Sequence, residues 1–303
     1  MIKTKEDLLA QIKSERRQNK NLFSSFFVDV SCIDSAVCRE AEKIFCSFDI
    51  PLNTTFKGNK LLFDKKLYAS KASLLNNSGL VFGFCLFYAL DQGDSLKNFY
   101  DRFDFAMNQY PNHVEFPQLE ESDSRSGDDR LYEPKVSGIF SAQDIRQARN
   151  VAFSARTFYS CGRAVPWFLS VLKPLRITPS AFFADFSEWQ RVNNCDFKSG
   201  FIPENEKHSE IEKMQLLFLE QKYEEKGKAS MFTLVSDVVR LNGAMSRLSD
   251  GNIKEITVET SYSPDDLFSE EVMDLDYFIE NVCMEESKVR LFVTEEGPDY
   301  EIL

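Results

Sequence analysis

Three aspartates near the start of the chain stand where metal-dependent nucleases often place carboxylates. Asp29, Asp34 and Asp49 fall at the ends of predicted strands and helices. Aspartate is also among the commonest residues at helix caps and turns, because its side chain accepts backbone N–H bonds. Capping is therefore the simpler interpretation. A metal-dependent nuclease, of the kind found in bacterial or phage defence, stays open as the alternative function.

A second charged cluster also resembles a nuclease site, but only superficially. Glu204, Glu206, Lys207 and Glu210 combine carboxylates with a lysine within seven residues. On a helix, such residues form ion pairs with neighbours three or four positions away. We interpret the cluster as a solvated helix face and keep it as the second possible centre of the nuclease alternative.

The chain has only two histidines, and neither has partners at the spacing of a metal site. His113 follows a proline turn and His208 opens a charged helix, so we expect both to be satisfied or exposed. The glycine-rich patterns of dinucleotide sites, P-loops and nucleophile elbows do not occur in the sequence. The sequence therefore predicts no metal, no cofactor and no catalytic residue.

Basic and aromatic side chains alternate along one predicted helix and its exit. A patch of this composition can bind RNA by stacking and charge, or an acidic protein. Because the whole chain has a net charge of −12 and a pI near 4.9, we favour a protein partner or internal ion pairs over nucleic acid. The patch consists of Arg146, Arg149, Phe153, Arg156, Phe158, Tyr159 and Arg163.

The acidic charge is confined to the end of the chain. Residues 251–303 hold fifteen acidic and three basic side chains, so they account for the whole net charge of −12. Such asymmetry is typical of a segment that meets a basic partner, or of a solubilising end. A third interpretation is an acidic decoy that occupies basic DNA-binding proteins.

The seven cysteines and the apolar runs predict a protein of a reducing, cytosol-like compartment. No two cysteines have C-x-x-C spacing, so we expect buried free thiols rather than disulfides. The start of the chain is charged and lacks the apolar stretch of a signal peptide. The longest apolar run, Leu80–Leu90, is interrupted by Gly83 and is too short to span a bilayer.

Periodicity and turn residues predict an α+β fold in four parts. Residues 1–116 form a small mixed strand and helix part, 117–131 an acidic mobile linker, 132–250 a helical core, and 251–303 an acidic part with a βαβ-like pattern. The linker is expected because it holds too few apolar side chains to offset its ordering entropy.

Within these parts, capping residues and alternating patterns predict individual elements. The predicted elements that matter below are a helix from Asp34 to Phe48, a hairpin of Ile50–Phe56 with Leu61–Tyr68, a strand within Leu80–Leu90, helices from Ser95, Ser141, Thr178, Pro203 and Ala229, a strand Glu255–Thr260, a helix Pro264–Val282 and a strand Val289–Val293.

Several runs in the helical part resemble the NSs non-structural proteins of phlebovirus-like viruses (phenuiviruses). RLYEP (130–134) precedes a long helix, and SVLKP (170–174) is followed by TPSAFFADF (178–186). In that family, a run ending in Trp-Pro leads to a further proline, a small hydroxyl residue, aromatics and an aspartate. Lys173 stands where the family usually has the tryptophan. FFVDV (26–30) is similar to the family's N-terminal strand.

The resemblance implies a non-enzymatic viral virulence factor. Such proteins bind host proteins in the cytoplasm or nucleus and antagonise interferon induction, interferon signalling or the translational stress response. Self-association is a further expectation, and no membrane contact is expected. This is the leading function that we take from the sequence.

Three sets of residues are candidates for partner binding. Phe56, Phe63 and Tyr68 flank the turn of the predicted hairpin, which must show one face to solvent. The basic–aromatic patch contributes Arg149 and Arg156. Tyr300 and Ile302 lie in the last residues, where an aromatic, acidic and aliphatic composition suits a short linear motif.

Overall fold

The computed structural model describes residues 1–18, 23–52, 55–57, 60–90, 93–118, 131–251 and 253–303, with the backbone alone at 55–57 and 60–62. The chain divides into two units, Met1–Ala152 and Phe153–Leu303. As the sequence predicts, the fold is α+β and mostly helical. Most of the predicted linker, residues 119–130, lies outside the described residues.

The N-terminal unit is built on a four-stranded parallel sheet. Its strands are in the order β1-β2-β5-β6, and a separate antiparallel hairpin pairs β3 with β4. The elements are β1 (Ser24–Phe27), β2 (Cys46–Pro51), β3 (Thr55–Lys57), β4 (Lys60–Leu62), β5 (Val81–Cys85) and β6 (His113–Glu115), with helices α1 (Lys5–Gln18), α2 (Ser35–Ala41), α3 (Lys65–Asn77), α4 (Leu96–Met107) and α5 (Ala142–Ala155), the last of which crosses the division between the units.

The two faces of this parallel sheet differ in chemistry. Side chains alternate between the faces along each strand. One face is apolar and buried at its centre, with Phe26, Phe48, Ile50, Phe82, Phe84 and Val114 at most 4% exposed. The register places Asp49 beside Gly83, and Gly83 beside His113, so the opposite face carries polar residues at its centre.

Two predictions for the N-terminal part are wrong. Residues 46–48 were expected to end a helix but begin β2, because all six β2 residues are buried between β1 and β5. The hairpin exists as β3 and β4, but Tyr68 lies in α3, where Asp64 caps the helix by accepting from the N–H of Leu67. Tyr68 is buried, and its hydroxyl donates to the carbonyl of Pro51 at 2.9 Å.

A buried ion pair holds the loop that follows β5. Arg102 and Asp94 are both almost fully enclosed and meet through two parallel bonds of 3.0 Å. Arg102 also donates to the carbonyl of Phe87 at 2.6 Å, and the N–H of Ala89 donates to Asp94 at 3.2 Å. These bonds hold Ala89 at a φ of +54°, a left-handed conformation that alanine otherwise avoids.

The C-terminal unit combines a helical core with a three-stranded antiparallel sheet in the order β7-β8-β9. Its elements are a π-helical turn (Arg156–Cys161), α6 (Phe168–Leu172), α7 (Pro179–Val192), α8 (His208–Glu225), α9 (Phe232–Ser249), β7 (Glu255–Thr260), α10 (Pro264–Leu267), α11 (Leu275–Asn281), β8 (Ser287–Thr294) and β9 (Gly297–Ile302). Among the described residues, no helix is both long and apolar enough to cross a membrane.

The acidic C-terminal part has the predicted order of strand, helix and strand, and it differs from the prediction in its details. The strands that flank the helices, β7 and β8, pair antiparallel. The predicted helix Pro264–Val282 is instead two short helices separated by a 3-10 turn at Glu270–Met273. The final residues, where a short linear motif was predicted, form the edge strand β9 in register with β8.

We predict that Arg102→Met destabilises the N-terminal unit by about 3–5 kcal/mol, because it leaves the Asp94 carboxylate buried without its cation. Urea unfolding followed by circular dichroism measures this loss. Arg146→Met, at an exposed position, is the matched control and should stay within about 0.5 kcal/mol of the wild type. Equal effects of the two substitutions would contradict this account of the loop.

Candidate functional site

The polar centre of the parallel sheet is the candidate site of the N-terminal unit. Asp49, in the middle of β2, is buried. One of its carboxylate oxygens lies 2.8 Å from Nε2 of His113, and the other accepts a bond of 2.7 Å from the hydroxyl of Ser25. A neutral histidine whose Nε2 donates to a carboxylate keeps its lone pair on Nδ1, so that Nδ1 of His113 can accept a hydrogen bond.

Gly83 is what allows this pair to form across an intervening strand. It lies between Asp49 and His113 in the register, and the imidazole crosses over it. A Cβ at position 83 would lie 2.2 Å from both Cδ2 and Nε2 of His113. An isolated glycine inside a strand often marks such a close approach, and this signal in Leu80–Leu90 could have located the site.

Two of the carboxylates considered for a nuclease site, Asp29 and Asp34, bind the backbone and side chains of neighbouring residues. Asp29 accepts from the N–H and hydroxyl of Ser31, and Asp34 caps α2 and pairs with Lys5. The hydrogen bond from Lys5 is the main reason that the pKa of Asp34 lies below its usual value. Helix capping, the simpler interpretation, therefore accounts for the positions of Asp29 and Asp34.

The second charged cluster is divided among different elements. Glu204 lies in a 3-10 turn, Glu206 in the exposed segment that follows, and Glu210 in the first turn of α8. Glu210 pairs with Lys213 at 2.8 Å. In the part of the chain that the structure describes, no three His, Cys, Asp or Glu side chains are grouped so as to hold a metal ion.

The basic–aromatic patch does not form one continuous surface. Its aromatic members Phe153, Phe158 and Tyr159 are buried. Arg156 pairs with Glu204 at 2.9 Å, and Arg163 pairs with Asp250 at 2.8 Å. Arg156 and Arg163 therefore form internal ion pairs, one of the two interpretations that the sequence favours. Arg149 is half-buried in α5.

The remaining candidates for partner binding are distributed over separate elements. The side chain of Phe56 lies outside the described residues, and Phe63 packs against Phe105 with ring centroids 5.2 Å apart. Tyr300 packs on Phe268 and donates to Asp265 at 2.7 Å. Burial, followed by this bond, raises the pKa of Tyr300 to about 12. Ile302 is half exposed in β9.

A second polar cluster, which the sequence analysis missed, lies in the helical core of the C-terminal unit. Nδ1 of His208 accepts from Arg247 at 3.2 Å, and its Nε2 donates to the carbonyl of Gly162 at 3.3 Å. Arg247 also pairs with Glu212 at 2.5 Å. Burial, with the nearby Arg163 and Arg247, lowers the pKa of His208 to about 4.

No protein-family model matches the sequence, and no curated protein sequence matches it either.

We predict that Gly83→Ala destabilises the N-terminal unit by about 1–3 kcal/mol, because the new Cβ displaces His113 and leaves the buried Asp49 short of a hydrogen bond. Gly138→Ala is the control, since nothing lies within 4 Å of a Cβ built there. Adding His113→Ala to Gly83→Ala should remove the steric part of the cost in a double-mutant cycle. If Gly83→Ala is as mild as Gly138→Ala, the imidazole does not cross β5.

We also predict an acid-dependent loss of stability that is specific to His208. Its folded pKa lies below the ordinary 6.5, so the unfolded chain binds the proton more readily. The stabilisation is complete above pH 6.5 and is lost as the pH falls towards 4, by about 1–2 kcal/mol once solvent screening of the half-buried ring is allowed for. Urea unfolding of the wild type and His208→Gln at four pH values measures the difference. Parallel losses in both proteins would refute the assignment.

Proposed function

We propose that this protein acts by binding host proteins, as an NSs-like viral antagonist of innate immunity. The observation that carries the proposal is that the resembling run, residues 170–186, comprises the end of α6, the turn that follows it and the first half of α7. Lys173–Leu175 make a 3-10 turn directly after α6, and Arg176 follows at a φ of +53°. Thr178 then caps α7, with Pro179 in its first turn.

The aromatic residues of that run make up the centre of the C-terminal core. Phe182, Phe183 and Phe186 are fully buried, and Phe158 lies within 5.0–6.0 Å of all three ring centroids. Residues that pack together in this way are the ones that specify a fold. Their resemblance therefore supports a shared C-terminal architecture, and the antagonist function follows from that resemblance by analogy.

The charge of the C-terminal unit supports a basic protein partner. Of the acidic residues in 251–303, Asp274 pairs with Lys173 and Asp276 with Lys228, and Arg290 binds two glutamates. Most of the others are exposed, and surface charge of one sign speeds association with an oppositely charged protein. The exposed ones include Glu259, Asp265, Glu270, Glu271, Glu280, Glu285, Glu286, Glu295, Glu296 and Asp299.

Affinity purification from animal cells, followed by mass spectrometry, tests the proposal. The wild type should capture a host protein of interferon or translational-control pathways. Glu285→Lys/Glu286→Lys should weaken that capture several-fold, because it inverts charge where the field attracts the partner. The matched control, Glu220→Lys/Glu224→Lys, changes two exposed residues of α8 outside the acidic segment.

Two results would overturn the proposal. One is the absence of any host protein enriched above an unrelated bait. The other is metal-dependent cleavage of nucleic acid by the purified protein that is lost in Asp29→Asn or Asp49→Asn, which would establish the nuclease alternative instead.

A further inference from the structure

The helix that begins at Ala142 widens at its end into the π-helical turn Arg156–Cys161. The N–H of Gly162 donates to the carbonyl of Thr157, and that of Ala164 to the carbonyl of Tyr159, both at 3.0 Å. Each of these bonds spans five residues, where an α-helix spans four. Such turns are rare and occur frequently at functional sites, so the feature calls for a physical reason.

Helix α8 supplies the groups that hold the turn in this register. The side-chain amide of Gln215, which is 1% exposed, donates to the carbonyl of Phe158 at 2.7 Å and to that of Gly162 at 3.0 Å. His208 donates to the same Gly162 carbonyl. Helix α8 thus supplies hydrogen-bond donors to the carbonyls of Phe158 in the turn and of Gly162 just after it. A buried carbonyl without a donor would destabilise the folded state.

Gly162 leaves the space that this contact needs. A Cβ there would lie 2.1 Å from the carbonyl oxygen of Phe158 and 2.2 Å from the amide nitrogen of Gln215. Its φ is −80°, which any residue can adopt. The requirement for glycine therefore comes from the close approach of the Gln215 amide and the Phe158 carbonyl, and not from the backbone conformation.

The π register also carries local costs. The hydroxyl of Ser160 is shielded from solvent and has no hydrogen-bond partner in the described part of the chain. Arg163, just beyond the turn, has a φ of +51° and is held by bonds to the Ser246 carbonyl at 2.9 Å and to Asp250 at 2.8 Å. A strained segment that persists only because its surroundings hold it can act as a two-state element.

We propose that Arg156–Cys161 is a register switch, kept in the π form by the Gln215 amide and able to relax to an α-helix when that contact is withdrawn. When the hydrogen bonds of the turn change from a five-residue to a four-residue spacing, the residues that follow rotate by about 100° around the helix axis. That rotation carries Arg163 away from its partners on α9. A shift of α8 is therefore converted into a loss of the contact between this turn and the end of α9.

The switch is tested by NMR couplings across hydrogen bonds in deuterated full-length protein. The wild type should show couplings from Thr157 to Gly162 and from Tyr159 to Ala164. In Gln215→Met, the coupling to Gly162 should come from Phe158, and amide exchange from 156 to 164 should rise about tenfold. Gln221→Met, an exposed glutamine of the same helix, should match the wild type.

Gly162→Ala tests the contact between Gln215 and the π turn by changing the glycine instead of the glutamine. Alanine favours an α-helix over glycine, yet its Cβ does not fit the π register, so this variant should also adopt the α register. Gly138→Ala is its control. If Gly162→Ala does not fold, Gln215→Met decides alone, since it adds no atom at the close approach.

Unchanged five-residue couplings and exchange rates in Gln215→Met would overturn the proposal. Loss of exchange protection throughout the C-terminal unit would overturn it too, because a register switch is local. Neither result bears on host-protein binding, which rests on the acidic surface and the resemblance.

Discussion

In both units, a polar side chain bridges two elements through a space that exists only because a glycine has no Cβ. In the N-terminal unit, His113 reaches Asp49 over Gly83. In the C-terminal unit, Gln215 reaches the π turn beside Gly162. A buried polar group without a partner costs about 1–3 kcal/mol, so each bridge must be complete for its elements to remain in register.

Gly243 is a third glycine whose missing Cβ leaves room for a polar contact between two elements. A Cβ at Gly243 of α9 would lie 1.9 Å from the carboxylate of Glu212 on α8, which is the carboxylate that pairs with Arg247. The close approach of α8 and α9 and the ion pair between them therefore depend on the same missing atom. The two helices, the π turn and the neutral His208 form one connected polar network, which orients the segment that follows α5 within its unit.

Local signals in the sequence were sufficient to predict much of the secondary structure. The cap and proline at Thr178 and Pro179 predicted the start of α7, and the alternating pattern of Glu255–Thr260 predicted β7 with the bounds that the structure has. These elements have the period and the terminal residues that their own backbone requires. The α+β class follows from such elements without knowledge of their packing.

Local signals failed where a distant contact decides the structure. Residues 46–48 were predicted as helix, but their burial between two strands makes them part of β2. The bridges of Gly83 and Gly162 each join residues at least 30 positions apart in sequence, and no short pattern contains both ends. A short linear motif was predicted for the final residues, and it is their pairing with β8 that makes them a strand.

The distribution of charge gives the two units different physical characters. The surplus of carboxylates lies on the surface of the C-terminal unit, while the ionic groups of the N-terminal unit include a fully enclosed pair, Arg102 and Asp94. An enclosed ion pair of this kind stabilises the loop around it, and its two opposite charges do not attract a protein partner. The acidic segment 251–303 is therefore the surface to which we assign the proposed binding function.

The protonation of the two imidazole rings tests the bridges most directly, because the chain has no other histidine. Long-range nitrogen–proton NMR spectra at neutral pH report which ring nitrogen carries the proton. The account predicts a proton on Nε2 of both rings and an unprotonated Nδ1 on His208, which accepts from Arg247. A proton on Nδ1 of His208, or rapid averaging of the tautomers in either ring, would contradict it.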